Sequence, residues 1–377
     1  MATVCAIILT YNREELLQTC LSAVIGQSVP CDYIVVVDNA SIDGTAQVLS
    51  HARYQDVQVC RLHNNTGASG GFSLGFQLGY ATGADFIWAM DDDVIPDQNA
   101  LQKLLDARSC LEDQSVYPPY IVSTARTPAG DLTNTPGVAR GRNVLNYPDW
   151  PRFLEHGLVP TAQATFVSIL IGRNVIRDNG FPIADMFIWG EDTEYTRRIS
   201  KAQPGFLCGN SKVQHVRAQP GNLSLFTETN PDRFAWHAFK IRNRIYTVKR
   251  FRSRNALFQL LFRLSKQIMR CLFKGEWTRA RVLWRGLFDG IRFDPPVPGS
   301  SASIAWDNIA YISPALEQAI KRERGSQMAE HNHQPGAADQ DSLMGKGPHE
   351  NIDYRQYGLR RSSSGTVTAR EAPGRDD

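Results

Sequence analysis

The sequence predicts an α/β protein built on a doubly wound sheet. Three observations predict it. Continuous apolar runs recur along the N-terminal part of the chain, as in strands covered on both faces. Stretches with helical apolar spacing alternate with them. The runs end in polar clusters, where open α/β sheets bind ligands.

"TVCAIILT" from Thr3 is the first such run. "NREELLQTCLSAVIGQ" follows as a helix, with Asn12 as the expected cap and Glu15 completing a capping box. "YIVVVD" from Tyr33 is the second strand, with "NASIDGT" as turn and next helix start. "VQVCRL" from Val57 is the third, followed by the glycine-rich "HNNTGASGGFSLG". "FIWAM" from Phe86 is the fourth, leading into three consecutive acids and a helix. "TPAGDLTNTPGVARGRN" from Thr127 reads as a loop large enough to shape a site. "QATFVSILIGRNVI" is a further core strand leading to a helix. "MFIWGEDTEYTRRISKA" is an apolar approach, a turn at Gly190 and a helix, and "SKVQHVRA" is a short strand.

Composition is that of an ordinary globular chain: 377 residues, 42% hydrophobic and 21% charged, with a net charge of +3. That total hides a strong segregation. Arg233 to Arg292 holds sixteen Lys or Arg and two acids, which leaves about −11 for the rest of the chain. The seven cysteines are scattered, with no CxxC pair, as expected of free thiols in a reducing compartment. No signal-peptide pattern is seen, and no run approaches the length of a spanning helix.

The acidic triplet Asp91, Asp92 and Asp93 raises the first chemical question. Adjacent carboxylates repel, so a cation is expected to compensate them, and a divalent metal is the simplest candidate. Side chains alternate along an extended chain, so Asp91 and Asp93 form a D-x-D pair and Asp92 faces the other way. "TYNR" (Thr10 to Arg13) and Asp38 end the first two strands on the same ligand edge. Asp38 can accept the imide N–H of a uracil or thymine ring, and Asn12 or Arg13 can reach base or phosphate. The glycine-rich loop lets backbone approach a ligand, but it follows the wrong strand and lacks the spacing of a dinucleotide fingerprint. In "WGEDTEY", Glu191 and Asp192 favour a helix N-terminus, one of them is a candidate base, and Trp189 is a candidate sugar platform. His215 alone is an ordinary structural histidine; beside a D-x-D pair it is a compatible third ligand.

Together "TYNR", "VVDNASIDGT", "NNTGASGGF", "AMDDDVIPD", "WGEDTEYTRRI", "QHV" and "RNRIYTVKR" resemble a family 2 glycosyltransferase of the GT-A fold. "GASGGF", the DDD form and "FIWGEDTEY" most resemble bacterial galactofuranosyltransferases and the related rhamnosyltransferases. The resemblance implies a Mn²⁺ or Mg²⁺ site at Asp91 and Asp93, completed by His215, and a catalytic base at Asp192. It implies donor contacts at Thr10, Arg13, Asp38, Asn65, Gly71 and Asp92, with Trp189 and Glu191 toward the acceptor. No Q-x-x-R-W follows Asp192, which argues against processive synthesis. The expected activity is inverting transfer of a sugar, best galactofuranose from UDP-galactofuranose, to a lipid-linked glycan acceptor in cell-surface polysaccharide synthesis. The alternatives are rhamnose transfer from dTDP-rhamnose, a nucleotidyltransferase on the same sheet, and a binding module without catalysis.

The expected domains are 1–230 catalytic, 231–294 basic helical, 295–324 linker and short helix, and 325–377 disordered tail. The basic stretch mixes Leu, Phe and Trp with Arg and Lys at helical spacing. It reads as an interfacial segment on an anionic membrane surface, the inner face of the cell membrane, rather than as a nucleic-acid binder.

Overall fold

The computed structural model describes residues 2–216, 224–332, 359–361 and 367–369. The N-terminal elements are β1 (Val4–Thr10), α1 (Glu14–Ile25), β2 (Tyr33–Asp38), α2 (Thr45–Leu49), β3 (Gln58–Leu62), α3 (Gly67–Ala81) and β4 (Phe86–Asp91). The middle adds β5 (Val94–Pro96), α4 (Ala100–Glu112), β6 (Tyr120–Arg126), β7 (Gly137–Val138), β8 (Leu158–Gln163) and β9 (Ile169–Gly172). Then come α5 (Arg173–Asn179), α6 (Glu191–Ile199), β10 (Gly205–His215), α7 (Pro231–Phe234) and α8 (His237–Phe251). Last are α9 (Arg254–Phe273), α10 (Trp277–Arg292), β11 (Ile309–Ile312) and α11 (Pro314–Asn332).

These strands form one mixed sheet, ordered β11-β3-β2-β1-β4-β9-β6-β10-β8-β7, with β5 added on β10. β1 pairs in parallel with β2 and β4, and β9 then enters antiparallel between β4 and β6. All seven residues of β1 are buried, and the six apolar ones divide between two cores. Cys5, Ile7 and Leu9 pack with α3, α5, α6 and α11; Val4, Ala6 and Ile8 pack with α1 and α4. This two-sided burial explains why the strand reads as an unbroken apolar run.

Register places the polar strand ends side by side. Thr10 lies opposite Asp38, and Leu9 opposite Asp91. β10 is bulged between Cys208 and Lys212, and its end at His215 lies opposite Val94 of β5. His215 thereby reaches the acidic turn from far along the chain.

Several expectations are corrected. Asn12 does not cap α1: its Oδ1 accepts from Ile42 N, and Asp43 accepts from Glu14 N instead. The stretch 295–324, expected as a linker and short helix, holds the helix but also a strand of the sheet. β11 extends the sheet at β3, and Leu316 and Ile320 of α11 are buried in the core under α3. α11 also runs past Gly325, where the tail was expected to begin. Within that tail Leu359–Arg361 and Val367–Ala369 pair antiparallel, and the remainder lies outside the described residues. The start of the basic region packs on the catalytic part. α8 packs Tyr246 against Ile183 and Met186 of the catalytic part, and its Ile245 joins α9 and α10 in a separate apolar cluster. Among the described residues no helix is long and apolar enough to cross a membrane.

Candidate active site

The acidic turn follows β4 directly, and the chain's own cations meet much of its charge. Arg13 Nη1 lies 3.1 Å from Asp92 Oδ1 and 2.6 Å from Asp93 Oδ2. Thr10 Oγ1 donates to Asp92 Oδ2 at 2.8 Å, and the Tyr11 N–H to the same oxygen at 3.4 Å. Thr10, Arg13 and Asp92 therefore brace the turn from beneath, where donor contacts were expected.

Burial pushes the Asp93 carboxyl up, but His215 and Arg13 outweigh it and hold it below the usual range. Asp91 is the opposite case. Burial, then the charges of Asp93 and Asp92, push it well above the usual range. Of the three acids, Asp91 is the one left short of a cation.

His215 Nε2 lies 3.2 Å from Asp93 Oδ1, and both side chains are buried. His215 Nδ1 lies 3.0 Å from Asn134 Oδ1, which also accepts from Thr133 Oγ1; Asn134 Nδ2 donates to Thr165 Oγ1. With its oxygen thus assigned, Asn134 takes the Nδ1–H and turns Nε2 toward Asp93 Oδ1. An imidazole nitrogen and a carboxylate oxygen side by side would suit a divalent metal. Yet among the described residues no three His, Cys, Asp or Glu side chains are grouped to hold an ion. Asp93 and His215 meet; Asp91 stands outside the pair.

The second acidic pair opens α6. Phe187, Trp189 and Gly190 all have positive φ, 61°, 60° and 142°. A side chain at Gly190 would place its Cβ 2.9 Å from Asn243 Cβ. This unfavourable loop is held from α8. The buried Asn243 amide donates to the carbonyls of Met186, Ile188 and Trp189 at 2.8, 3.0 and 3.3 Å. Arg242 Nη2 donates to Asp185 O at 2.7 Å. Around the Trp189 ring lie His237, with centroids 5.0 Å apart, and the Arg233 guanidinium at 5.5 Å.

Asp192 lines a cavity of about 860 Å³ together with Trp189, Thr193 and Asn134. Burial pushes its carboxyl up to about 6, against a hydrogen bond of 2.5 Å from the Thr193 N–H. Glu191 is raised further, by burial and then by the Asp192 charge, and it accepts from Ser69 Oγ at 3.0 Å. Glu191 is buried against α3 and is not among the cavity's lining residues, so its expected acceptor contact is corrected.

Asp38 is buried, accepts from Ser41 N at 2.8 Å and lies 3.3 Å from Arg61 Nε. A second cavity, of about 760 Å³, is lined by Asp38, Arg61, Tyr54 and Tyr311. Asn65 Oδ1 accepts from Gly67 N and from Asn39 Nδ2, tying the end of β2 to the start of α3. Gly71 is corrected. It sits inside α3 against β1, where a Cβ would lie 2.3 Å from Leu9 Cδ1, so packing requires it rather than a ligand.

The family description Glycosyl transferase family 2 matches residues 5–146, from β1 through the acidic turn. Galactofuranosyltransferase GlfT1 of Mycolicibacterium smegmatis is 28% identical over 298 residues, 75% of this chain and 96% of that protein. The chain is a glycosyltransferase whose residues 5–146 match the family 2 description. Undecaprenyl-phosphate mannosyltransferase of Micrococcus luteus is 32% identical to this glycosyltransferase over 135 residues, 35% of this chain and 52% of that one. A solved structure titled GalNAc-T7 with UDP, GalNAc and Mn²⁺ shares the GT-A fold. It has a TM-score of 0.50 and 16% identity, over 66% of this chain and 48% of that one.

Sequence reading of this transferase missed Asn134, Asn243 and Arg233. Asn134 lay within the Thr127 loop, and Asn243 within "RNRIYTVKR", but no spacing singled out either residue.

Proposed function

We propose that the protein is an inverting, metal-dependent transferase that moves galactofuranose from UDP-galactofuranose to a lipid-linked glycan acceptor in cell-surface polysaccharide synthesis. One observation carries this reading. A single cavity is lined by Asp192 and Trp189 and also by Asn134, the residue that seats His215 against Asp93. The base and the sugar platform thus border one space, and Asn134 links its wall to His215 and the acidic turn.

Asp192 accepts the proton of the acceptor hydroxyl through one carboxylate oxygen. The acceptor oxygen, freed of its proton, then bonds to the anomeric carbon from the face opposite the diphosphate. The bond from that carbon to the diphosphate oxygen breaks, and its electron pair leaves with the nucleotide. The configuration inverts. Thr193 N–H holds Oδ1 of Asp192, so the base is oriented by the first turn of α6. Asp93 and His215, with Asp91 beside them, would hold Mn²⁺ or Mg²⁺, which would supply positive charge for the leaving diphosphate. Asp38 and Arg61 line the second cavity and take the base of the donor.

The basic helices support attachment to the inner face of a membrane. Phe258, Phe262 and Phe273 of α9 and Trp277, Trp284 and Phe288 of α10 are exposed beside Arg and Lys. Apolar inflow with basic flanks suits an interfacial helix pair on anionic lipid. A screen of the full chain against UDP-, dTDP- and GDP-sugars, reading nucleoside diphosphate release, tests the donor. Release from UDP-galactofuranose is expected; release from dTDP-rhamnose alone would replace the donor assignment.

A further inference from the structure

β11 lies far beyond residues 5–146, the stretch that matches the family description, yet it borders the second cavity. The register of the sheet edge explains why. Asp38 of β2 lies opposite Arg61 of β3, and Arg61 lies opposite Tyr311 of β11. Opposite residues share a face of a sheet, so the three side chains form one cross-strand row. All three line the cavity. Arg61 Nη2 donates to Ser41 O at 2.8 Å, which draws the guanidinium toward β2. Its Nε lies 3.3 Å from Asp38 Oδ2, an oxygen that is buried and has no hydrogen-bond partner. Tyr311 is 53% exposed, while Ile309 and Ile312 beside it pack on the core.

β11 is held at both ends by side chains. Ser313 Oγ accepts from the Val59 N–H at 2.7 Å and donates to Val59 O at 3.2 Å. Asn308 Oδ1 accepts from the N–H and the Nδ2 of Asn64, both at 3.1 Å, and its Nδ2 donates to Asn64 O at 3.3 Å. The Asn308 carbonyl accepts from the His63 N–H at 2.8 Å. This second clamp adjoins Asn65, which ties β2 to α3. A four-residue edge strand with two exposed residues has little burial to hold it. The clamps therefore fix the strand that carries the Tyr311 ring, and a group fixed in advance loses less freedom when a ligand binds.

We propose that Tyr311 is a stacking platform for the pyrimidine of the donor, and that Arg61 reads that base beside Asp38. This rests on the reading of the second cavity as the base site. A uracil or thymine ring presents an imide N–H between two carbonyl oxygens. Asp38 Oδ2 accepts the N–H, Arg61 donates to the neighbouring oxygen, and the face of the ring lies on Tyr311. Cytosine presents an acceptor in place of the imide N–H and an amino group in place of that oxygen, so it opposes both side chains. The base wall is thus completed from the C-terminal part of the chain, by a strand outside the family match.

The probes are UDP, CDP and inorganic diphosphate, titrated into the full chain with Mn²⁺ and followed by calorimetry. The wild type is expected to favour UDP over CDP by about tenfold or more, because CDP leaves both polar side chains mispaired. Tyr311→Ala is expected to weaken UDP about tenfold, the loss of one base–aromatic stack, with inorganic diphosphate affinity and melting temperature unchanged. Tyr311→Trp keeps the affinity for UDP. Arg61→Ala narrows the preference for UDP over CDP; an unchanged preference would remove Arg61 from the base. In turnover, Tyr311→Ala raises KM for the donor with little change in kcat, since the base is held alike before and during transfer. Equal UDP affinity in wild type and Tyr311→Ala, with the preference over CDP intact, would overturn the platform and leave the base site standing. Equal weakening of UDP and inorganic diphosphate in that variant would overturn it too, because the change would then lie in the fold and not at the base. A wild type that binds UDP and CDP alike would fall on the reading of the cavity as the base site, and the platform would fall with it.

Discussion

The side-chain amide of Asn243 donates to the carbonyl of Ile188 at 3.0 Å, across 55 residues of chain. The same amide serves Met186 and Trp189, so one buried side chain of α8 fixes the loop that presents Trp189 and Asp192.

Asn243→Ala leaves three carbonyls of a strained loop without that donor. A loss of ~1–3 kcal/mol in stability is expected from the unsatisfied buried groups. Turnover is expected to fall further than stability alone explains, because the base loses its position. Thermal melting and kcat, compared at a temperature where the variant is fully folded, separate the two effects.

Asp192→Asn keeps the shape and removes the proton acceptor. Nucleotide release is expected to fall by ~10²–10⁴-fold, with donor affinity retained. The pH dependence has a definite sign. The base acts only when ionised, so kcat/KM of the wild type rises as pH passes upward through about 6. Stability runs the other way. A carboxyl raised above its unfolded value binds its proton more tightly when folded, so stability falls as pH rises through that window and the penalty remains above it. The Asn variant is therefore expected to melt higher than the wild type at neutral pH. An Asn variant that lost donor affinity instead would move the base elsewhere.

Asn134→Ala removes the acceptor that orients His215. Mn²⁺ affinity, titrated without substrate, is expected to weaken ~10–100-fold, the usual effect of losing such a supporting contact. Equal affinity in variant and wild type would mean that His215 does not hold the ion. Chelation is expected to stop transfer, and Mn²⁺ to restore it.

Gly71→Ala tests packing against ligand contact. Its Cβ would meet Leu9 Cδ1 at 2.3 Å, so overpacking is expected to destabilise by ~1–3 kcal/mol. Donor affinity of the folded fraction is expected to be unchanged.

What could be read in advance followed local pattern. The apolar runs from Val4 to Asp91 declared the first four strands, and their register brought Thr10, Asp38 and Asp91 to one edge. Asp93, Asp192 and His215 stood out by residue type beside those runs. The rest depended on contacts that no local period records. Asn243 acts on a loop 55 residues earlier, and the Val59 N–H meets Ser313 Oγ 254 residues later. β11 is four residues long with two of them exposed, so its sequence carries no strand signature. The glycines of "GASGGF" looked like a ligand loop because a tight helix–strand contact demands the same residue type.

The central claim is that Asp192 takes the proton of an acceptor hydroxyl as a sugar moves to it from a nucleotide donor. The direct test supplies the full chain with UDP-galactofuranose, Mn²⁺ and a sugar acceptor on a prenyl diphosphate, and follows UDP release. Acceptor-dependent release is expected, with a product of inverted anomeric configuration and loss of at least ~10²-fold in Asp192→Asn. No release from any nucleotide sugar, or equal release by wild type and Asp192→Asn, would contradict it.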